Sequence, residues 1–155
     1  MFFVSDTQTQ RHKMILSFLL KGQGSIAVVL AAIDFEWTLR RAILALGTRP
    51  TKHIRESLEK TWGLERYKDL WNLEVKPQMQ VTVVQVIPCW SELRKAFGFR
   101  DRLVHGVVGV ISRDATNNSV AFILKASQAL EEFAVEHEGT LYRRIVRRKP
   151  RSLHK

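Results

Sequence analysis

In residues 100–105 (RDRLVH), four residues separate Arg100 from His105. The pattern predicts that this segment forms the last turns of a helix that ends at Gly106. An arginine, which is always charged, and a histidine, whose ordinary pKa lies near neutrality, are the smallest set of side chains that can cleave RNA without a metal. The imidazole can move the proton of a 2′-hydroxyl, and the guanidinium can hold the phosphate that this hydroxyl attacks.

The predicted helix over residues 88–105 carries one charged residue on its apolar side. At 100° per residue, Arg100 falls in the middle of the apolar half. A guanidinium there must reach a carboxylate or face a site built for an anion. The acids we expect it to reach are Glu36 and Asp34, on the second predicted helix. The apolar half consists of Cys89, Trp90, Leu93, Ala96, Phe97, Phe99, Leu103 and Val104.

So wide an apolar side favours two packing partners, which are the chain's own core and a second copy of the chain. On an ideal helix Arg100 and His105 lie about 140° apart. We therefore expect that one chain alone does not direct both residues at one phosphate. Two such helices that meet across a twofold axis would do so.

The same two residues also have a purely structural interpretation. Arg100 would be a salt-bridge residue, and His105 would be a cation that the helix dipole favours at the C-terminus. An open cleft that exposes both residues together would favour catalysis. Burial of both against Glu36 or Asp34 would favour a catalytically inactive helical module.

Residues 99–106 (FRDRLVHG) resemble the signature of the HEPN-domain (higher eukaryotes and prokaryotes nucleotide-binding) ribonucleases. That signature is an arginine, a polar residue, a few more residues and a histidine, at the end of a long helix in an α-helical bundle. Residues 33–40 (IDFEWTLR) are similar to the acid-containing helix that precedes the motif in many members. The resemblance covers about residues 9–138, although only the motif segment is distinctive.

The resemblance implies a homodimer whose motif helices pair to form a composite cleft that cuts RNA without a metal. It implies that His105 is the general base or acid, that Arg100 stabilises the charged phosphorane and that Asp101 orients one of them. Glu36 would support these residues in a structural rather than catalytic role. The products would carry 2′,3′-cyclic phosphate or 3′-phosphate ends.

The sequence departs from the family pattern at two positions. Asp101 replaces the commoner asparagine and adds negative charge near the phosphate site. Val107 stands where toxins that are silenced by a nucleotidyltransferase partner carry a tyrosine, so control of that type is not expected. Toxin–antitoxin, anti-phage and RNA-processing roles stay open. The alternative also stays open: an inactive RNA- or protein-binding module, such as an antitoxin or a regulatory subunit.

The net charge of +10 is concentrated near residue 155. Residues 143–155 carry seven bases and no acid, which leaves 18 bases against 15 acids in residues 1–142. Such a run either binds a phosphate backbone through counterion release or is a solvated terminus. We predict a helical domain over 1–142 and a flexible basic tail over 143–155. The candidate RNA-binding residues are Arg102, Arg143, Arg144, Arg147, Arg148, Lys149 and Arg151.

Composition predicts a single soluble domain. A chain of 155 residues with 45% apolar content can bury its own core. Cys89 is the only cysteine, which fits a reducing cytosol. The apolar run at residues 26–33 is too short to span a membrane, and no signal peptide is evident. We therefore expect a cytoplasmic protein that binds no membrane. The scattered histidines predict no metal site, and we expect no cofactor.

The periodicities predict a mostly α fold, a bundle of about four to five helices. Helices are expected over residues 9–20, over 25–46 with Ser25 and Gly47 as caps, over 51–62 with Thr51 as cap, over 88–105 and over 127–137. Residues 64–76 are expected to form a short helix or a connector, and residues 81–87 are ambiguous between strand and helix.

A short β-hairpin is the one β element that the sequence suggests. Residues 107–111 (VVGVI) and 120–124 (VAFIL) are apolar runs that can pair around a turn at 114–119. Trp62, Trp71 and Trp90 are expected to be core anchors or interface residues.

Overall fold

The computed structural model describes residues 7–107, 109–138 and 141, and in this part of the chain it contains eight helices and no strand. The protein is therefore mostly α, as the periodicity predicts, with more helices than the four to five expected. They are α1 Gln8–Leu20, α2 Gly24–Leu46, α3 Thr51–Glu59, α4 Leu64–Glu74, α5 Lys76–Met79, α6 Val83–Val86, α7 Trp90–Val104 and α8 Arg113–Glu138.

The long helix α2 is the centre of the bundle, because α1, α3, α4, α7 and α8 all pack against it. Small residues let these neighbours approach closely. A Cβ atom on Gly24 would lie 2.6 Å from Oγ1 of Thr116, a residue of α8. Alanines occupy four further buried positions of α2, namely Ala27, Ala31, Ala32 and Ala42.

A buried carboxylate ties α2 to the helices on one of its sides. Asp34 is 1% exposed, and its Oδ1 accepts a hydrogen bond of 2.5 Å from Nε of Arg11 in α1. Its Oδ2 lies 3.0 Å from Nε2 of His12 and accepts a 3.0 Å hydrogen bond from Ser127 of α8. Burial alone would raise the pKa of Asp34, but the bonds from His12 and Arg11 outweigh it and hold the pKa below its ordinary value.

Helix α7 packs on another side of α2 and also on α8. Its buried side chains are Trp90, Leu93, Ala96, Phe97 and Phe99. The ring of Phe97 meets Phe35 of α2 edge-on, with centroids 5.6 Å apart. The helix ends at Val104, and Gly106 then takes a positive φ of 67° that turns the chain away. The predicted position of the motif at a helix end is therefore correct.

The predicted hairpin is wrong, because residues 114–124 belong to α8. The hydroxyl of Ser112 accepts a hydrogen bond from the amide of Ala115, as an N-terminal cap does. The buried residues of α8 then recur every three or four positions, which is the period of a helix. They include Val120, Ile123, Leu124, Ser127, Leu130 and Ala134. The β-branched residues in this run suggested a strand, and tertiary packing overrides that preference.

Several predicted helix ends shift by a few residues. Helix α2 begins at Gly24 after Gln23, so Ser25 is inside the helix rather than its cap. Thr51 is likewise the first residue of α3, which ends at Glu59 instead of residue 62. Of residues 64–76, the expected short helix or connector, those from Leu64 to Glu74 form α4, and the ambiguous run at 81–87 contains the short helix α6.

Leu141, the last residue that the structure describes, is buried, and its carbonyl accepts a hydrogen bond from Arg41 of α2. The predicted tail over residues 143–155 lies outside the described residues. None of the described helices combines the length and apolarity needed to cross a membrane. Cys89 is buried as a free thiol.

The buried pair predicts a large loss of stability in the variant Asp34→Asn. Arg11 would stay buried without its anionic partner, so the free energy of unfolding should fall by about 3 kcal/mol at neutral pH. Because the native pKa of Asp34 is depressed, its contribution is complete above the ordinary value of 3.8 and is lost as the pH falls through the native pKa. Urea unfolding at several pH values measures both effects.

The matched control is Asp69→Asn, which changes an exposed carboxylate on α4 and should shift the free energy of unfolding by less than about 0.5 kcal/mol. Equal stability of Asp34→Asn and wild type at neutral pH would contradict the assigned role of the pair.

Candidate functional site

Arg100 is held in one orientation at the side of α7 that faces α2. Its Nη2 donates a 2.7 Å hydrogen bond to Oε1 of Glu36, and its Nη1 lies 2.9 Å from Oδ1 of Asp101. Its Cζ lies 5.2 Å from the centroid of the Phe97 ring, within the range of a cation–π contact. Of the two acids that the sequence suggests, the structure therefore pairs Arg100 with Glu36, whereas Asp34 binds Arg11.

Glu36 lies at the edge of the core, where α2, α4 and α7 meet. Burial raises the pKa of its carboxyl group, and the guanidinium groups of Arg100 and Arg40 oppose this only in part. Arg40 itself donates a 3.0 Å hydrogen bond to the hydroxyl of Tyr67 in α4. Glu36 is thus a partly desolvated anion whose main counter-charge is Arg100.

A pocket of about 630 Å³ opens beside this ion pair, between α2, α7 and the start of α4. A guanidinium has five N–H donors, of which Arg100 gives one to Glu36 in a hydrogen bond, while Asp101 adds an ion pair at 2.9 Å. The side chain is 25% exposed, so the other donors are accessible to an anion that enters the pocket. The charged and aromatic residues of the wall are Glu36, Trp62, Glu65, Arg66, Arg94, Phe97, Arg100 and Asp101.

His105 lies outside this pocket, at the C-terminal cap of α7. Its backbone N–H donates a 3.0 Å hydrogen bond to the carbonyl of Asp101. Its ring is exposed and forms no hydrogen bond to the part of the chain that the structure describes. The carboxylate of Asp101 contacts Arg100 instead, so within one chain Asp101 orients the arginine.

One chain therefore does not bring Arg100 and His105 together. Along a helix, five positions correspond to a turn of about 140° and a rise of about 7.5 Å. Arg100 contributes to the wall of the pocket and His105 does not. The two outcomes that the sequence leaves open, joint exposure in one cleft and joint burial against an acid, are both absent from the described chain.

The last turn of α7 is poorly covered by the rest of the chain. Val104, which the helical wheel places on the apolar side, is 56% exposed. Val107, Val110 and Ile111, which follow the motif, are exposed as well. These four exposed residues, which lie on either side of His105 in the chain, are called the post-motif apolar patch, and no described element buries them.

Arg102 points away from the pocket that Arg100 lines. It is exposed, its Cζ lies 5.8 Å from the centroid of the Phe99 ring, and it borders a smaller cavity of about 320 Å³ between α7 and α8. The other predicted RNA-binding residues lie outside the described part of the chain: Arg143, Arg144, Arg147, Arg148, Lys149 and Arg151.

Three residues of the pocket wall, Trp62, Arg66 and Arg94, were not predicted from the sequence to be part of a functional site. Trp71 and Trp90 are buried, as core anchors are, but Trp62 is 70% exposed and belongs to the pocket wall, so of the two predicted roles it does not have that of a core anchor. Arg66 and Arg94 are also exposed there. One feature of the sequence could have indicated that Trp62 is exposed. A tryptophan that follows a helix end and precedes a glycine lies on no helical face that could bury it.

No group of three or more potential metal-ligating side chains is found among the described residues. Comparisons of the chain with protein-family models, with curated proteins and with solved structures give no significant match.

The ion pair predicts how the variant Arg100→Met behaves. Methionine keeps an unbranched side chain over Phe97, so the fold should persist with a loss of about 1 kcal/mol at neutral pH, because both carboxylates remain in contact with water. Arg100 stabilises the ionised form of Glu36, so this contribution is present above the pKa of Glu36 and is lost as the pH falls through it. That pKa is raised above 4.5.

Urea unfolding of Arg100→Met and wild type should therefore give a difference that shrinks from neutral pH to about pH 4. Arg66→Met is the control, since Arg66 forms no ion pair with the described residues. A difference that does not change with pH would mean that the stabilising contact is not the one with Glu36.

Proposed function

We propose that the protein is a metal-independent endoribonuclease of the HEPN type, active as a homodimer in the cytoplasm. The observation that carries the proposal is the fixed guanidinium of Arg100, which keeps accessible donors in a pocket on the same helix that presents an exposed His105. A positioned cation and a titratable group with an unobstructed ring are the two parts that the chemistry needs.

In the proposed reaction, an imidazole removes the proton of a ribose 2′-hydroxyl as the oxygen attacks the adjacent phosphorus. The bond from phosphorus to the 5′-oxygen breaks, and this oxygen takes a proton as it leaves. The products are a 2′,3′-cyclic phosphate and a 5′-hydroxyl. Arg100 would stabilise the negative charge on the phosphorane, and Asp101 and Glu36 would hold its guanidinium in place.

A second copy of the chain would complete this site. Arg100 and His105 of one chain do not share a pocket, whereas a twofold axis near the ends of two α7 helices would bring His105 of one chain towards Arg100 of the other. The post-motif apolar patch supports this arrangement, because its exposed residues are close to His105 in the chain and a second copy of the chain would bury apolar surface there.

One observation favours the alternative, a catalytically inactive helical module that binds RNA or a protein. Two carboxylates already neutralise Arg100, so an incoming phosphate must compete with Glu36 and Asp101 for it. A toxin, anti-phage or RNA-processing role fits the enzyme, and an antitoxin or regulatory role fits the alternative.

The composite site predicts complementation between two inactive variants. Wild type should cleave cellular RNA in EDTA and leave cyclic-phosphate ends, whereas His105→Ala and Arg100→Met should each lose this activity. When the two variants are mixed and exchange subunits, half of the dimers would be heterodimers. Each heterodimer has one of its two composite sites intact, so about a quarter of the wild-type rate should return.

His53→Ala, which removes an exposed histidine of α3, is the control and should cleave like wild type. Mixed variants that stay inactive although they exchange subunits would exclude a site shared in this way. RNA binding without cleavage by the wild-type chain, tested on several RNA substrates, would favour the inactive module.

The basic tail predicts a change in salt dependence when residues 143–155 are removed. The truncated chain should bind RNA more weakly. The negative slope of log K against log salt should also become smaller in magnitude by about 2, because fewer counterions are released. Cleavage at saturating RNA should persist. As a control, a full-length chain in which the seven bases of residues 143–155 are changed to glutamine should behave like the truncated chain. If this variant binds RNA like wild type, these charges contact no phosphate.

A further inference from the structure

We propose that Trp62 is a stacking platform for an unpaired nucleobase, and that the pocket it borders binds single-stranded RNA with the base on Trp62 and the backbone along Arg66 and Arg94. The inference rests on the proposed function, because it assigns the group that is bound in the pocket of Arg100. It goes further in naming a base-binding residue and the single-stranded form of the substrate.

The position of Trp62 is fixed although its ring is exposed. The residue lies between the end of α3 and the start of α4, where the preceding residue Thr61 and the first residue of α4, Leu64, are both buried. The hydroxyl of Thr61 donates a 2.8 Å hydrogen bond to the carbonyl of Ser57, and Gly63 turns the chain with a φ of 85°. The backbone on each side therefore presents the indole outward.

The indole ring is itself unpartnered. It is 70% exposed and has no hydrogen bond or ring contact with the described residues. An isolated exposed apolar residue needs no explanation, but an indole on the wall of a pocket of about 630 Å³ offers a flat face where a planar ligand can enter. Base stacking on such rings tolerates any sequence, because every base has a π face.

The charges next to Trp62 favour a phosphate backbone as the rest of the ligand. Arg66 lines the same pocket and forms no ion pair with the described residues. Arg94 is 62% exposed, and its contact with Glu65 is a long one of 3.3 Å. Glu65 is shared with Lys68, which lies 2.5 Å from it. Two cations, Arg66 and Arg94, thus line the pocket beside Glu65, and the charge of Glu65 is already shared between Arg94 and Lys68.

Single-stranded RNA is the ligand that uses all of these features. In a duplex the bases are stacked inside the helix and cannot lie on a protein ring, whereas an unpaired base can be turned outward. A base on Trp62 would leave the adjoining phosphate to Arg66 and Arg94, and the chain would continue towards Arg100 at the other end of the same pocket.

The test measures binding without cleavage. A 2′-O-methyl RNA oligonucleotide has no free 2′-hydroxyl, so the proposed reaction cannot cut it. Trp62→Ala should bind it about 10-fold more weakly than wild type at physiological ionic strength. Trp62→Phe should recover most of the affinity, because it keeps an aromatic face. Binding of a blunt duplex should not differ between Trp62→Ala and wild type.

Leu73→Ala is the matched control, since Leu73 is an exposed apolar residue of α4 outside the pocket, and it should bind like wild type. Circular dichroism and sedimentation of each variant establish that fold and assembly are unchanged. If Trp62→Ala alters the oligomeric state but not the affinity for the oligonucleotide, Trp62 is a protein contact and the proposal fails.

Equal affinities of Trp62→Ala and wild type, or no binding by wild type, would also overturn the proposal. Failure of the nuclease proposal gives a different result. In that case the oligonucleotide binds in a manner that depends on Trp62, but the wild-type chain leaves unmodified RNA intact.

Discussion

The buried ion pair of Asp34 and Arg11 fixes the rotation of the central helix, and the arrangement of the other helices around α2 follows from it. If α2 rotated, Asp34 would lose its contacts with Arg11 of α1 and Ser127 of α8, and unpaired charges would remain buried in the apolar core. Glu36 lies two positions later, which is about 200° around the same helix. It therefore projects on the far side, towards α7, and reaches Arg100.

The two carboxylates differ in what their surroundings do to them. Asp34 is fully buried, yet its pKa is lowered because the hydrogen bonds and positive charges of His12 and Arg11 outweigh the effect of burial. Glu36 is less buried, yet its pKa is raised because its partners do not offset the loss of water. The first is thus an anion that the fold stabilises below the usual carboxyl range. The second is an anion that burial disfavours, so Glu36 depends on Arg100 for most of its charge compensation.

The parts of the fold that the sequence predicts well are those with a long helical period. Helices α1, α2 and α7 follow from apolar spacing and from glycines at or beyond their ends. The helical wheel of α7 also shows that Arg100 must reach a carboxylate or face an anion site. The start of α8 is mispredicted, because the run from Val120 carries β-branched residues whose preference is decided by packing on α2. The exposure of Trp62 also escapes prediction, because it depends on how the segment between α3 and α4 is folded.

The charges of the pocket limit what Arg100 can do in the proposed enzyme. Its wall contains three arginines, Arg66, Arg94 and Arg100, against Glu36, Glu65 and Asp101, so the described lining has no net charge. A lining of this kind does not attract RNA from a distance. Long-range attraction would have to come from the basic residues of 143–155 and local affinity from stacking. Arg100 would then act on the phosphate only after it is bound. Its two carboxylates are consistent with that role, because they orient the guanidinium and cancel its charge until a stronger ligand arrives.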